Sequence, residues 1–178
     1  MRSNLKSNVP LIEKDQWETP DYVFKPLNAV FSFTIDVAAT TANARVKNFY
    51  TADDDGLAQD WSGETVFCNP PHTGGAYGTW IKKAVGEFHE QLTETVMVLP
   101  FNSDTQGFRP VWKYAHYLIR PYGRIRYTMG GEDRGVPWFD SCIVVFTHET
   151  LDTEDLLALS EIGYVIDLFE GVFPGYIK

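Results

Sequence analysis

Cysteine is scarce: Cys68 and Cys142 are the only two in 178 residues, and both sit inside apolar, strand-like runs. Two such thiols cannot build a disulfide framework and are expected to be buried in a reducing compartment. Cys68 and His72 have a conceivable ligand spacing, but no Cys or His pair lies nearby to complete a tetrahedron, so no metal site is expected. His89, His116 and His148 are isolated. Long apolar runs are missing, and the first residues are polar rather than signal-like. The expectation is a cytoplasmic protein with no membrane partner. Repeats and low-complexity tracts are also missing.

Basic charge is in short supply. A net charge of −9 and a pI near 4.8 oppose the basic footprint usual for nucleic-acid binding. The shortage is uneven. From Thr105 to Gly131 there is no acidic residue, while Arg109, Lys113, Arg120, Arg124 and Arg126 alternate with Trp112, Tyr114, Tyr117, Tyr122 and Tyr127. From Glu149 to Glu170 there are seven acidic residues and no basic one. Ordinary solvated faces explain such runs as well as an interface does.

At 44% hydrophobic, the chain can bury a sizeable core. One domain is expected over residues 16–178, with an extension over 1–15 and an acidic C-terminal segment over 148–178. Thr19 is placed to cap a helix beginning at Pro20, with Val23, Phe24, Leu27, Val30 and Phe31 on its apolar face. Phe33-Thr34-Ile35 reads as a strand ending at Asp36, and a short element near Asn48 to Thr51 leads into Asp53-Asp54-Asp55. Val66-Phe67-Cys68 and Thr95-Val96-Met97-Val98-Leu99 read as buried strands, with Trp80, Ile81, Ala84, Val85 and Phe88 at helical spacing between them. Strands are also expected over 117–127 and 141–147. This alternation predicts an α/β fold with a mostly parallel, doubly wound sheet and a terminal antiparallel hairpin. Beyond it, Asp152-Thr153-Glu154 opens a short capped helix ending at Gly163, and Tyr164-Val165-Ile166 and Val172-Phe173-Pro174-Gly175-Tyr176 have no assigned role.

The most informative run is Thr65-Val66-Phe67-Cys68-Asn69-Pro70-Pro71-His72. Proline fixes its own φ and donates no backbone hydrogen bond, so a polar amide followed by two prolines is a rigid acceptor platform at the end of a strand. Such a platform suits an amino group on an aromatic ring, whose lone pair is delocalised until acceptors hold its hydrogens. Transfer to an exocyclic amine is the chemistry this suggests. In an open α/β sheet, ligands bind outside the carboxyl ends of the strands, where Asp36, Asp55 and Asn69 are expected to converge.

Asn-Pro-Pro followed by an aromatic residue resembles the signature of amino-methyltransferases acting on adenine N6, cytosine N4 or protein glutamine. With Trp17-Glu18-Thr19-Pro20, Ile35-Asp36-Val37-Ala38-Ala39, Asp54-Asp55-Gly56-Leu57, Gln59-Asp60-Trp61 and Trp80-Ile81-Lys82-Lys83-Ala84 in this order, the chain is similar to the bacteriophage DNA N-6-adenine methyltransferases over roughly residues 16–147. The resemblance implies a Rossmann-like S-adenosylmethionine-dependent fold. It implies cofactor contacts from Trp17, Thr19, Pro20, Asp36, Ala38, Asp55 and Asn69, and catalytic roles for Asn69, Pro70, Pro71 and His72. The family normally has Tyr or Phe where this chain has His72. An imidazole still stacks, but only the neutral form suits a site beside a sulfonium, so a dependence on pH between roughly 5.5 and 7.5 is expected.

The substrate implied is double-stranded DNA with its target adenine flipped out of the stack. His72, Tyr77 in the Gly-rich loop, and Arg120, Arg124, Arg126 and Arg134 are the candidate DNA contacts. Replacing Arg124 and Arg126 is expected to flatten the salt dependence of binding. With no separate recognition domain, specificity is expected to be low or to depend on a homodimer. Two other classes stay open: an amino-methyltransferase acting on RNA or protein, and an inactive relative that keeps only binding or host interaction.

Overall fold

The computed structural model describes residues 17–169, so the expected extension over 1–15 and the apolar run from Val172 to Tyr176 lie outside it. Eight strands follow in chain order: β1 Ile35–Asp36, β2 Thr65–Cys68, β3 Glu94–Pro100, β4 Tyr117–Pro121, β5 Thr128–Met129, β6 Glu132–Asp133, β7 Ser141–Phe146 and β8 Gly163–Asp167. The helices are α1 Asp21–Phe31, α2 Tyr77–Gln91, α3 Arg109–Tyr114 and α4 Thr153–Ser160, with one 3₁₀ turn at Thr73–Gly75. No helix among the described residues is long and apolar enough to cross a membrane.

Six strands form one mixed sheet in the order β1-β2-β3-β7-β4-β8, and β5 pairs with β6 as a separate ribbon. Neighbours are parallel only at one end, where β1 pairs with β2 and β2 with β3. β7 runs antiparallel to both β3 and β4, and β4 antiparallel to β8. The expectation of a mostly parallel sheet therefore holds for strand direction, since β1, β2, β3 and β4 point one way, but not for pairing. The expected terminal hairpin is a three-stranded antiparallel half. All six residues of β7 are buried, which demands cover on both faces and both edges, so it inserts between β3 and β4. β8 is mostly half-exposed and takes the edge. The strand expected over 117–127 stops at Pro121, whose ring cannot donate to a ladder.

Alternation along the strands sorts side chains onto two cores. Val66, Cys68, Met97, Leu99, Cys142 and Val144 pack with Trp61, Trp80, Ile81 and Phe88 on the α2 and α3 face. Phe67, Val96, Val98, Ile143 and Val145 pack with Phe24, Leu27, Phe31 and Leu159 on the α1 and α4 face. Helix α1 presents Val23, Phe24, Leu27 and Phe31 inward, as the 3.6-residue period requires. Its cap is one residue later than expected. Pro20 has extended backbone, and its carbonyl accepts from Val23 and Phe24 N–H at 3.0 and 2.9 Å, so Thr19 makes no capping bond. Helix α4 begins with a reciprocal capping box between Asp152 and Asp155 and ends at Ser160, short of Gly163.

Candidate active site

Parallel pairing puts Ile35 opposite Val66 and Asp36 opposite Phe67, so Asp36 and Asn69 leave the same carboxyl edge of the sheet. The residues after Val46 run alongside β1. Asp36 donates to the Asn48 carbonyl at 3.0 Å, accepts from Tyr50 N–H at 2.9 Å, and forms a parallel bridge with Phe49. This ladder fixes the Asp36 backbone. Its side chain is 3% exposed and accepts from Arg45 N–H at 3.0 Å and Ala38 N–H at 3.4 Å. Burial outweighs those two donors and raises the Asp36 carboxyl to about 6.

The Asn69 amide nitrogen donates to the Trp17 carbonyl at 2.9 Å. A carbonyl partner dictates which way the amide faces, leaving Asn69 Oδ1 buried and, among the described residues, without a hydrogen bond. Trp17 Nε1, Thr19 Oγ1 and Arg45 Nε share that condition. All four atoms belong to residues that line one recess, which Glu18, Asp36, Ala38, Asn43 and Phe67 also line. Unsatisfied buried polar atoms cost about 1–3 kcal/mol each, so four in one recess mark a place built for polar partners. The recess encloses about 10 Å³, room for one water-sized group. A larger guest must part its walls, and the Trp17-Glu18-Thr19 segment is one of them.

Beside the recess stands an aromatic wall. Trp17 stacks on Tyr127 at 5.4 Å and on Phe139 at 6.4 Å. His72 meets Phe139 edge-on at 5.4 Å and Tyr127 at 6.4 Å. Trp138, 67% exposed, meets Phe139 edge-on at 5.7 Å and carries the wall to the surface. Glu18 holds this side together. Its backbone bridges to Thr128, and its carboxylate accepts from Thr128 Oγ1 at 3.0 Å, Gly130 N–H at 2.8 Å and Gly131 N–H at 3.4 Å. Both glycines have positive φ, as the tight β5–β6 turn requires.

The structure thus brings together Trp17, Thr19, Asp36, Ala38, Asn69 and His72. Pro20 starts α1 beside them, and Pro70 is buried while Pro71 is half-buried between Asn69 and His72. Asp55 does not join. It is exposed in a left-handed turn, held by backbone bonds to Ala52 and Ala58. The next residue, Gly56, lies so close to the Val37 carbonyl that a Cβ would stand 2.2 Å from it, and its own carbonyl accepts from Trp61 Nε1. The Asp-Gly-Leu segment is therefore a packing turn.

The expected DNA contacts change more. Tyr77 is buried, and its hydroxyl accepts from Asn102 Nδ2 at 3.0 Å. Arg120 lies 3.9 Å over the Phe101 ring and donates to the Ser141 carbonyl. Arg124 pairs with Asp140 at 3.2 Å, Arg126 with Asp133 at 2.6 Å and Arg134 with Glu132 at 3.7 Å. Acids just beyond the acid-free stretch thus pair with Arg124 and Arg126, while Arg109 of the same segment has no ion pair among the described residues. Burial pushes both Cys68 and Cys142 thiols up, which leaves neither poised as a nucleophile.

Glu18, Asn43, Arg45, Phe139 and Trp138 were not singled out from sequence. Glu18 stood inside a recognised motif and could have been. The others reach the site through folds of the chain that leave no local periodic mark.

Residues 6–162 match the family model for DNA N-6-adenine-methyltransferase (Dam). Over 105 residues the chain is 31% identical to the DNA N-6-adenine-methyltransferase of Haemophilus phage HP1 (strain HP1c1), a span covering 58% of this chain and 60% of the phage protein. Over 65 residues it is 40% identical to YfdM of Escherichia coli (strain K12), which carries a provisional methyltransferase name, covering 33% of this chain and 71% of that protein.

Proposed function

The chain belongs to the DNA N-6-adenine-methyltransferase (Dam) family, and on that footing we propose that it transfers a methyl group from S-adenosylmethionine to adenine N6 in double-stranded DNA. The parallel end of the sheet serves in this reading as a Rossmann-like cofactor platform. When bound, S-adenosylmethionine supplies an electrophilic methyl group on a positively charged sulfur. The observation that carries the proposal is the buried, unpartnered Asn69 Oδ1 beside the buried carboxylate of Asp36.

Among the described residues, Asp36 is the one carboxylate in the recess other than Glu18, whose oxygens are engaged by the β5–β6 turn. It binds the positive part of the cofactor, with Ala38 small enough for close approach. Trp17 Nε1 and Thr19 Oγ1 give further polar contacts at the same wall, and Pro20 directs that segment into α1. Asn69 Oδ1 accepts one hydrogen of the target amino group, and the Pro70-Pro71 pair holds Asn69 rigid while it does so. His72 offers a face to the flipped base, backed edge-on by Phe139. The chemical step is a direct in-line displacement, and the protein's contribution is alignment of two reactants in a near-attack geometry. Modification of phage DNA in a bacterial cytoplasm, shielding it from restriction, is the role we attach to this activity.

The test is transfer of labelled methyl from S-adenosylmethionine to unmethylated DNA, with nucleoside analysis and an Asn69→Ala control. Label in N6-methyladenine that the control abolishes supports the reading; label in another base or none at all sinks it. The net charge of −9 and the neutralised arginines favour a second reading, an amino-methyltransferase acting on RNA or protein. Competition among DNA, RNA and protein for the label separates the two.

A further inference from the structure

Every Lys and Arg among the described residues is in an ion pair or over an aromatic ring, except Lys47, Lys82 and Arg109. Lys82 and Arg109 face one cleft. It measures about 570 Å³, opens to solvent between the start of α2 and the turn before α3, and has Thr79, Gln106 and Gly107 among its lining residues but, among the described residues, no carboxylate. Both cations are exposed. The cleft is a built feature rather than a gap between loose loops. Gly78 and Gly107 touch backbone to backbone at its floor, where a Cβ on Gly78 would stand 3.3 Å from the Gly107 Cα. The buried Tyr77 ties the same two segments together through Asn102.

Resting on the proposed action on DNA, we infer that this cleft binds a backbone phosphate of the substrate next to the flipped nucleotide. Three observations converge. Two uncompensated cations share a cavity of a size to take a phosphodiester and its flanking sugar. Gln106 and Thr79 add neutral donors, the combination of fixed charge and hydrogen bonding that phosphate oxygens accept. The cleft also begins at Gly75, six residues after Asn69 in the loop that carries His72, a separation of at most about 20 Å that a few nucleotides of backbone span. The phosphate contacts thus fall on α2 and α3, not on the arginines of 120–134, which are held by acids of their own chain. Lys82 and Arg109 act as positioning residues: they set the register of the strand and touch no reacting atom.

The experiment is the salt dependence of binding to an unmethylated adenine-containing duplex for the whole protein, for Lys82→Gln with Arg109→Gln, and for Arg124→Gln with Arg126→Gln. Loss of that phosphate contact should flatten the slope of log affinity against log salt by about 0.9. The KM for DNA should rise while S-adenosylmethionine affinity, measured by calorimetry, stays at the wild-type value. The Arg124 and Arg126 variant should keep the wild-type slope. An unchanged slope for the Lys82 and Arg109 variant, in a protein that methylates DNA, overturns the cleft and leaves the proposed activity standing. A wild-type protein that neither binds nor methylates DNA overturns the activity, and the cleft with it.

Discussion

At the parallel end of the central sheet, β1 and β2 stop at Asp36 and Cys68, and four residues lining the recess there, Trp17, Thr19, Arg45 and Asn69, each carry a buried polar atom that lacks a partner among the described residues. At the antiparallel end, β7, β4 and β8 carry none. There the Tyr117 hydroxyl accepts from Leu151 N–H at 3.1 Å, the Tyr127 and Ser141 hydroxyls meet at 3.0 Å, and Arg120 reaches the Ser141 carbonyl. One half has its buried polar groups paired within the fold, and the other leaves four of them without partners among the described residues. Parallel strands end together on one edge, so their loops form a crevice, whereas antiparallel neighbours close each other's ends with turns. In the proposed function, the atoms left without partners are the ones that recognise a guest.

The largest break in this contrast should come from Asn69→Ala, which removes the free acceptor. Methyl transfer should fall about 10²-fold or more, while circular dichroism and cofactor titration show a folded protein. Retained transfer would place the amino-group acceptor elsewhere.

Asp36→Asn comes next, weakening S-adenosylmethionine binding about 30-fold or more, the effect of leaving a buried charge without its partner. Wild-type affinity should also depend on pH with a definite sign. The carboxyl is raised to about 6, above its ordinary 3.8. The folded protein therefore holds a proton in this window that the unfolded chain releases, and stability conferred by that proton is lost as pH rises from about 4 to 6. Binding a cation favours the ionised form, so cofactor affinity is complete above about pH 6 and declines below it. Calorimetric titrations across pH 5 to 8 check this; a flat profile for the wild type removes Asp36 from the cofactor's charge.

A smaller effect is expected from Glu18→Ala, which cuts three hydrogen bonds to the β5–β6 turn and one wall of the recess. A loss of about 1–2 kcal/mol in urea denaturation, with weaker cofactor binding, would tie the two regions together. An effect on stability alone would make Glu18 a strut.

The smallest is His72→Tyr, which enlarges the face offered to the base beside Phe139. A rise of roughly 2- to 10-fold in kcat/KM, the range of an added aromatic contact, together with a flatter profile between roughly pH 5.5 and 7.5, would sharpen the assignment. A fall would mean that the imidazole does something a phenol cannot.

Local features were legible because they are local. Asn69-Pro70-Pro71 announces its own rigidity, α1 and α2 follow from apolar spacing, and the capping box of α4 lies within four residues. Asp36 was legible as a strand-end carboxylate. Its neighbours were not: Arg45 reaches it across nine residues of irregular chain, and Trp17 meets Asn69 across 52. The arginines between 120 and 134 looked basic because their acids stand outside the stretch or across a turn. Arg126 finds Asp133, and Arg124 finds Asp140 sixteen residues on.

By itself, the sequence determined the elements with clear apolar spacing, α1, α2, β2, β3 and β7, the two-sided character of the strands, the rigid Asn69 platform and the family to which they belong, because propensity, proline geometry and apolar period act over a few residues. The insertion of β7 between β3 and β4, the cancellation of one set of cations, and the meeting of Lys82 with Arg109 across a cleft were decided only in three dimensions. Each depends on burial and charge pairing between segments that no local rule connects, and the free energy of those contacts exists only once the chain has closed around them.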